Sequence, residues 1–303
     1  MANNILVLGV GELGLAVLEA LTRHSKRGDN SIAVLLRPSS LSGTDTTKNE
    51  LIRHLNEDLN VQIEAADVVK DSVDSLAAIF SRYQTVVSCN GMGLPSGTQT
   101  KLTQVALQAK VSRYFPWQFG MDYDAIGTGS SQDLFDEQLA VRRLLRAQEA
   151  LDWTIVSTGL FMSFLFLADF GVVDLPAKTV RGLGRWDNRI TVTTPMDIGT
   201  VTADVVLDPQ GLHHQVVYVA GDTITYAQLA DLLDNHYQTP FKRELWGLDV
   251  LEKQMDEDPN TMVKYRDTFA QGRGVAWDKA QTVNAKRNIP VTDAAEYIQG
   301  FEK

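Results

Sequence analysis

Cysteine is almost missing from this chain: Cys89 is the one thiol in 303 residues. No disulfide can close within the chain, which fits a reducing compartment. Long apolar runs are missing too. The opening MANNILVLGVGELG has a short apolar run with no basic stretch before it, and reads as a buried strand rather than a signal peptide. The most apolar later stretch, STGLFMSFLFLADFGVVDL at 157–175, is broken by Gly159, Ser163, Asp169 and Gly171. It falls short of the roughly twenty uninterrupted apolar residues that a membrane span needs. The expected location is therefore cytoplasmic. Positive charge is scarce, with 28 bases against 38 acids and a formal net charge of −10. The densest cationic stretch is RRLLR at 142–146, within a helical pattern. No nucleic-acid partner is expected, because polyanion affinity needs clustered Lys and Arg to displace counterions. His24, His54, His213, His214 and His236 lack metal-ligand spacing with Cys or acids, so no metal is expected. No G-x-S-x-G occurs, which weakens a serine-hydrolase reading.

What is present alternates. ILVLG (5–9), SIAVLLR (31–37), VQIEAAD (61–67), TVVSCNG (85–91), SRYFPW (112–117) and WTIVSTG (153–159) are strand candidates. Helical spacing fits between them at 12–24, 72–82, 98–110 and 132–150, and the polar stretch 39–50 reads as a loop running into a helix. Apolar strands separated by amphipathic helices predict a parallel sheet covered on both faces. The fold class is α/β: a Rossmann-type, doubly wound parallel sheet with a smaller C-terminal lobe. The pattern changes after residue 160. An aromatic stretch leads into the turn-rich VRGLGRWDNRITVTTPMD, with a strand expected at 190–195 and another at 215–221. The expected organisation is a nucleotide domain over 1–157, completed by parts of 190–221, and a substrate lobe mainly over 158–303.

The sharpest local signal is Gly9-Val10-Gly11-Glu12-Leu13-Gly14, a GxGxxG that follows a strand and opens a helix. Gly9 permits the tight turn, Gly11 lets backbone approach a pyrophosphate, and Gly14 allows close helix–strand packing. The helix start, with Glu12 and Leu13, offers N–H groups and partial positive charge to phosphate. The second strand ends in Arg37, where an acid would accept hydrogen bonds from a ribose 2′-OH. An Arg suits a 2′-phosphate instead, with Ser39 beside it and Lys48 from the next segment adding charge. The expected cofactor is NADPH/NADP.

These residues, read with FPWQFG (115–120), VRRLLRAQ (141–148), WTIVSTGLF (153–161), Asp197–Gly199 and YVAGDTITYAQLADLL (218–233), resemble the NmrA-like and isoflavone-reductase-like group, most of all its fungal members. These are atypical short-chain dehydrogenase relatives. The resemblance covers nearly the whole chain. It implies that Ser88, Cys89 and Asn90 line the cofactor, and that Phe115, Pro116, Trp117 and Phe119 form the turn beside the nicotinamide. It also implies that the segment from Leu160 borders the substrate. Phe161, Met162, Phe164, Leu165 and Phe166 are the candidates there, with Trp117 beside them and Phe170 and Trp186 as further ones. An apolar wall suits a flat, weakly charged ligand.

The resemblance places a catalytic Lys on the helix after FPxxFG. Here the matching residue is Gln138, on the same helical face as Leu134, Val141 and Leu145. A carboxamide orients a ligand but does not exchange protons. Gln138 is therefore either a ligand-orienting residue or a hydrogen-bonded core residue. No Tyr is followed four residues later by Lys, so the usual short-chain dehydrogenase pair is missing. Tyr123 and Asp122 in FGMDYD are the proton-donor candidates, because that loop leaves the carboxyl end of a strand. The expected function is NADPH-dependent reduction of a small aromatic or enone-type metabolite by a monomer or homodimer. The alternatives are a non-catalytic NADP(H)-binding regulator with a protein partner, and non-redox catalysis in the same pocket.

Overall fold

The inner strands of the large sheet, such as ILVL at 5–8 and IAVLL at 32–36, are apolar and buried along both faces because helices cover both. The computed structural model describes residues 3–42 and 46–302, so the middle of the polar loop expected at 39–50 lies outside the described residues. The strands are β1 (Ile5–Leu8), β2 (Ile32–Leu36), β3 (Gln62–Ala65), β4 (Thr85–Ser88), β5 (Arg113–Phe115), β6 (Asp152–Ser157), β7 (Leu160–Phe161), β8 (Val173–Asp174), β9 (Thr179–Leu183), β10 (Arg189–Thr193), β11 (Gln215–Tyr218), β12 (Asp222–Thr225) and β13 (Lys242–Trp246). Seven of them form one sheet in the order β11-β6-β5-β4-β1-β2-β3. The pairings β3–β2, β2–β1, β1–β4, β4–β5 and β5–β6 are all parallel. Strand order reverses between β1 and β4, and the carboxyl ends of the strands at such a switch point are where open α/β sheets bind ligands.

The chain packs as two compact units. The first comprises residues 1–118, 140–156 and 198–217. On one face of its sheet, Leu6, Leu8, Val86, Tyr114 and Ile155 pack with Leu76, Phe80, Leu102, Val105, Val141 and Leu145 from the helices. Those helices are Val73–Phe80, Thr98–Ala109 and Asp133–Arg146. The alternating partners Ile5, Val7, Val34, Val87 and Phe115 are just as buried. Strand alternation aims them at the other face. Helix Glu12–Arg23 and the later turns of helix Pro195–Leu207 belong to the same unit and touch backbone to backbone. A Cβ on Gly199 would stand 2.5 Å from the carbonyl oxygen of Ala16.

The second unit comprises residues 119–139, 157–197 and 218–303. It holds two three-stranded sheets, β12-β10-β7 and β13-β9-β8. The expected strand at 190–195 forms as β10, but it pairs with β7 and β12 rather than joining the large sheet. The observed division also differs from the expected cut after 157, because residues 119–139 pack with the second unit. The turn-rich segment contains β9, in register with β13 from Lys242↔Thr179 to Trp246↔Leu183. That strand is fixed by pairing with residues about sixty positions away, which local periodicity does not report.

Candidate functional site

The glycine loop follows β1 directly. Gly9 has φ +87° and a Cβ there would fall 1.4 Å from Asn90 Oδ1. Gly14 presses on Gly9, since a Cβ on Gly14 would meet the Gly9 carbonyl oxygen at 2.2 Å. Gly11 differs: nothing lies within 4 Å of the place its Cβ would take. Two glycines therefore close the loop, and the third leaves open space in front of the helix start. Among the described residues no side chain caps that helix. The N–H groups of a helix's first turn have no acceptor within the helix, which makes this helix start a donor site for an anion. This is the geometry a pyrophosphate fits.

Arg37 follows β2 and is exposed, and its guanidinium takes part in no hydrogen bond or ion pair among the described residues. Its charge reaches Asp67, whose carboxyl is held below its ordinary range chiefly by the Val69 N–H, with Lys70 and Arg37 contributing. Ser39 lies in the short helix Pro38–Leu41, and Lys48 lies in helix Thr46–Arg53. These groups suit a 2′-phosphate on an adenosine ribose.

Ser88 ends β4, the neighbour of β1 across the switch point, and Cys89 and Asn90 follow it. Cys89 is buried, and burial pushes its thiol far above the ordinary range, so it is no nucleophile. Gln99 Nε2 donates to the Asn90 carbonyl at 2.7 Å and fixes the backbone there. Trp117 lies flat on Gly91: a Cβ on that glycine would fall 1.8–2.1 Å from the indole ring. Phe115 and Pro116 are buried beside it, and Arg113 stacks over the Phe115 ring at 4.7 Å. Sequence reading missed Gln118 with Arg142. Both are buried, and Arg142 Nε donates to Gln118 Oε1 at 2.8 Å.

In the second unit, Phe119 and Gly120 lead into the Asp122–Tyr123 turn. Thr158 and Gly159 both donate backbone N–H groups to the Gly120 carbonyl at 3.0 Å. That ties the FG turn to the start of the aromatic segment. Asp122 caps helix Tyr123–Ile126 by accepting from the Ala125 N–H at 3.2 Å, and its other oxygen accepts from the Tyr218 hydroxyl at 2.8 Å. Its carboxylate is thus engaged on both sides. Tyr123 is buried, with its hydroxyl 2.3 Å from where a Gly120 Cβ would sit. Its ring packs on Phe135 at 4.9 Å. Gln138, one turn beyond Phe135 in helix Asp133–Arg146, is fully buried, while Asp136 and Arg143 face outward as the helical angle predicts.

The aromatic segment splits. Met162, Leu165 and Phe170 are sealed in the core of this unit, as Leu160 nearly is. Phe164 packs edge-on against Phe170 and Tyr265. Phe166 lies on Phe301 and Tyr297, and Phe161 and Trp186 stay half-buried. Tyr265 belongs to this cluster but was invisible in the sequence, because it joins from a helix a hundred residues downstream. A separate polar concavity of about 430 Å³ lies at the opposite ends of β2 and β3, lined by Arg27, Asn30, Ser31, Asn60 and Gln62. It shares no residue with the glycine loop. Among the described residues no helix is long and apolar enough to cross a membrane.

Comparison with known proteins gives this arrangement its relatives. The NmrA-like family model matches residues 1–298. An NmrA-like family domain-containing oxidoreductase of Gibberella moniliformis is 55% identical over 300 residues, covering 99% of this chain and 98% of that one. Phenylcoumaran benzylic ether reductase 1 of Arabidopsis thaliana is 29% identical over 82% of this chain and 79% of its own. Among solved structures, an isoflavone reductase superposes with a TM-score of 0.80 at 21% identity, with both chains fully covered. The leucoanthocyanidin reductase of Vitis vinifera, in binary complex with NADPH, superposes with 0.79 at 18% identity over 97% of this chain and 98% of that one. This chain therefore belongs to the NmrA-like family, is an oxidoreductase, and shares its fold with isoflavone reductase.

Proposed function

We propose that this protein is an NADPH-dependent reductase of a small aromatic or enone-type metabolite. The observation that carries the reading is Arg37, an exposed guanidinium with no ion-pair partner among the described residues, set after β2 beside a closed glycine loop. Gly9, Gly11 and Gly14 with the first helical N–H groups hold the pyrophosphate, and Arg37, Ser39 and Lys48 hold the 2′-phosphate. Asn90 and Trp117 line the nicotinamide end. Bound NADPH supplies the hydride. The protein supplies position and a polar environment for developing charge.

Gln138 stands where the family's reductases carry Lys, and its carboxamide orients the ligand without moving a proton. Asp122 is committed to its helix cap and to Tyr218, which leaves Tyr123 or water to supply a proton. A quinone or conjugated enone demands little of either, because its reduced anion is already stabilised. The half-buried Phe161 and Trp186 and the edge of Phe164 suit a flat ligand.

The first experiment is parallel titration with NADPH, NADP+ and NADH, followed by NADPH oxidation across enones, quinones and aryl ketones. Tight NADPH binding with weak NADH binding and turnover of one substrate class supports the reading. Preference for NADP+ with no turnover across the panel overturns it and favours the redox-sensing regulator that Gln138 also fits. Gln138→Lys that gains reductase activity shows the pocket to be whole and only the acid to be missing.

A further inference from the structure

One aromatic cluster in the second unit holds a hydroxyl that no described residue hydrogen-bonds. Tyr265 lies on helix Thr261–Ala270 and is buried, with 6% of its surface accessible. Its ring meets Phe135 edge-on at 5.7 Å and Phe164 edge-on at 5.7 Å. Phe135 precedes Gln138 by one helical turn, and Phe164 belongs to the aromatic segment. Tyr265 is thus wedged between the helix that carries Gln138 and the segment expected to border a ligand.

That wedge is held from outside. Gln132 Nε2 donates to the Thr261 carbonyl at 3.2 Å, Lys264 pairs with Asp133, and the Ser131 hydroxyl bonds to Asp267. Three polar contacts therefore pin the Tyr265 helix to the start of the Gln138 helix. Yet among the described residues the Tyr265 hydroxyl has no hydrogen-bond partner. Burial drives this phenol far above the ordinary range, and Tyr123 adds to the shift. It stays protonated and remains a donor at any physiological pH. The hydroxyl is not sealed, for it is not among the fully buried polar atoms that lack a partner, so its tip keeps some accessible surface. A donor held between two ring edges with part of its hydroxyl accessible is placed to meet an acceptor on an incoming ligand.

We propose that Tyr265 anchors the substrate of this protein by donating a hydrogen bond to an oxygen on a flat aromatic ligand, a quinone or aryl-ketone carbonyl being the chemistry that fits. The proposal rests on the reductase reading for its ligand class. The ring edges of Phe135 and Phe164 select flatness, and the hydroxyl selects an oxygen acceptor. Neither role requires Tyr265 to transfer a proton.

The test uses the full chain loaded with NADP+, which permits binding without turnover. Two probes share one ring system: 1,4-naphthoquinone, which carries carbonyl oxygens, and naphthalene, which does not. Tyr265→Phe keeps the ring contacts and removes the hydroxyl. The expected result is quinone affinity about tenfold weaker with naphthalene affinity unchanged. Equal loss for both probes makes Tyr265 a packing residue and overturns the proposal, as does no loss for either. Labelling the tyrosines at the ζ carbon gives a second readout, with the Tyr265 signal assigned by the Phe variant. That signal should move on quinone binding and stay still on naphthalene binding. A signal that is unmoved while the quinone binds also overturns the proposal. Selective quinone binding without any NADPH oxidation leaves the anchor standing and sinks the reductase reading instead.

Discussion

At the scale of single residues, the cofactor assignment turns on Arg37. It is exposed, so removing it leaves the core untouched. Arg37→Ala should weaken NADPH binding about 10- to 100-fold, the range of a charge-assisted hydrogen bond. NADH binding should be unaffected, and comparing the two titrations isolates the 2′-phosphate. Equal weakening of both would show that Arg37 supports the loop rather than the phosphate. Gln138 shows the limit of reading one residue. Its inward angle was legible from Leu134, Val141 and Leu145, and it is indeed buried. Whether its amide serves a ligand or the core depends on what surrounds it, which helical spacing does not reveal. Asp122 was a proton-donor candidate on position alone, and only the folded turn binds both its oxygens.

At the scale of elements, two junctions make distinct predictions. His54 starts a single π-helical turn, His54–Asp58, and faces two carboxylates. Its Nδ1 lies 2.7 Å from Asp58 Oδ2, and its Nε2 lies 3.5 Å from Glu19 Oε1 on helix Glu12–Arg23. The hydrogen bond to Asp58 is the main cause that raises its pKa above 6.5, with Glu19 adding to it. A raised pKa means that protonation favours the folded state. This contribution is fully present below pH 6.5 and fades as pH rises through the folded value. Melting curves of the protein and of His54→Gln should therefore differ at about pH 5.5 and converge by about pH 8. A constant gap would assign the effect to packing instead.

The second junction fixes the end of the aromatic segment. Arg266 donates to the Phe170 and Asp169 carbonyls and to Gln254, and Arg181 donates to the Gly171 carbonyl and to Glu244. Both guanidinium carbons stand over the Trp246 ring, at 4.7 and 5.0 Å. Arg266→Met should cost roughly 1–3 kcal/mol, read by urea unfolding, because it strands the partly buried Phe170 carbonyl and Gln254 Oε1. Arg266→Lys should restore only part of this, since an ammonium lacks the planar fork. Full recovery with Lys would reduce the junction to simple charge.

At the scale of the whole molecule, neither unit is a continuous stretch of chain. The first unit needs residues 198–217 as well as the N-terminal half, for they supply most of β11 and the turns packed on Ala16. A fragment ending at residue 157 lacks both. It should fail to unfold cooperatively and should aggregate, whereas the full chain gives a sharp transition, as sedimentation and circular dichroism would show. Independent, cooperative folding of that fragment would mean that the later residues only decorate the sheet.

The sequence by itself determined the parallel sheet, the glycine loop, the Arg37 strand end and the inward angle of Gln138. Each follows from neighbours within a few turns: apolar alternation, helical spacing, or a backbone requirement at one glycine. The tertiary structure alone decided that β10 joins β7 and β12, that β9 and β13 pair at all, and that residues 119–139 pack with the second unit. It alone brought Tyr265 against Phe135 and Phe164. Those outcomes depend on contacts between residues far apart along the chain, whose energies exist only once the intervening segments have folded.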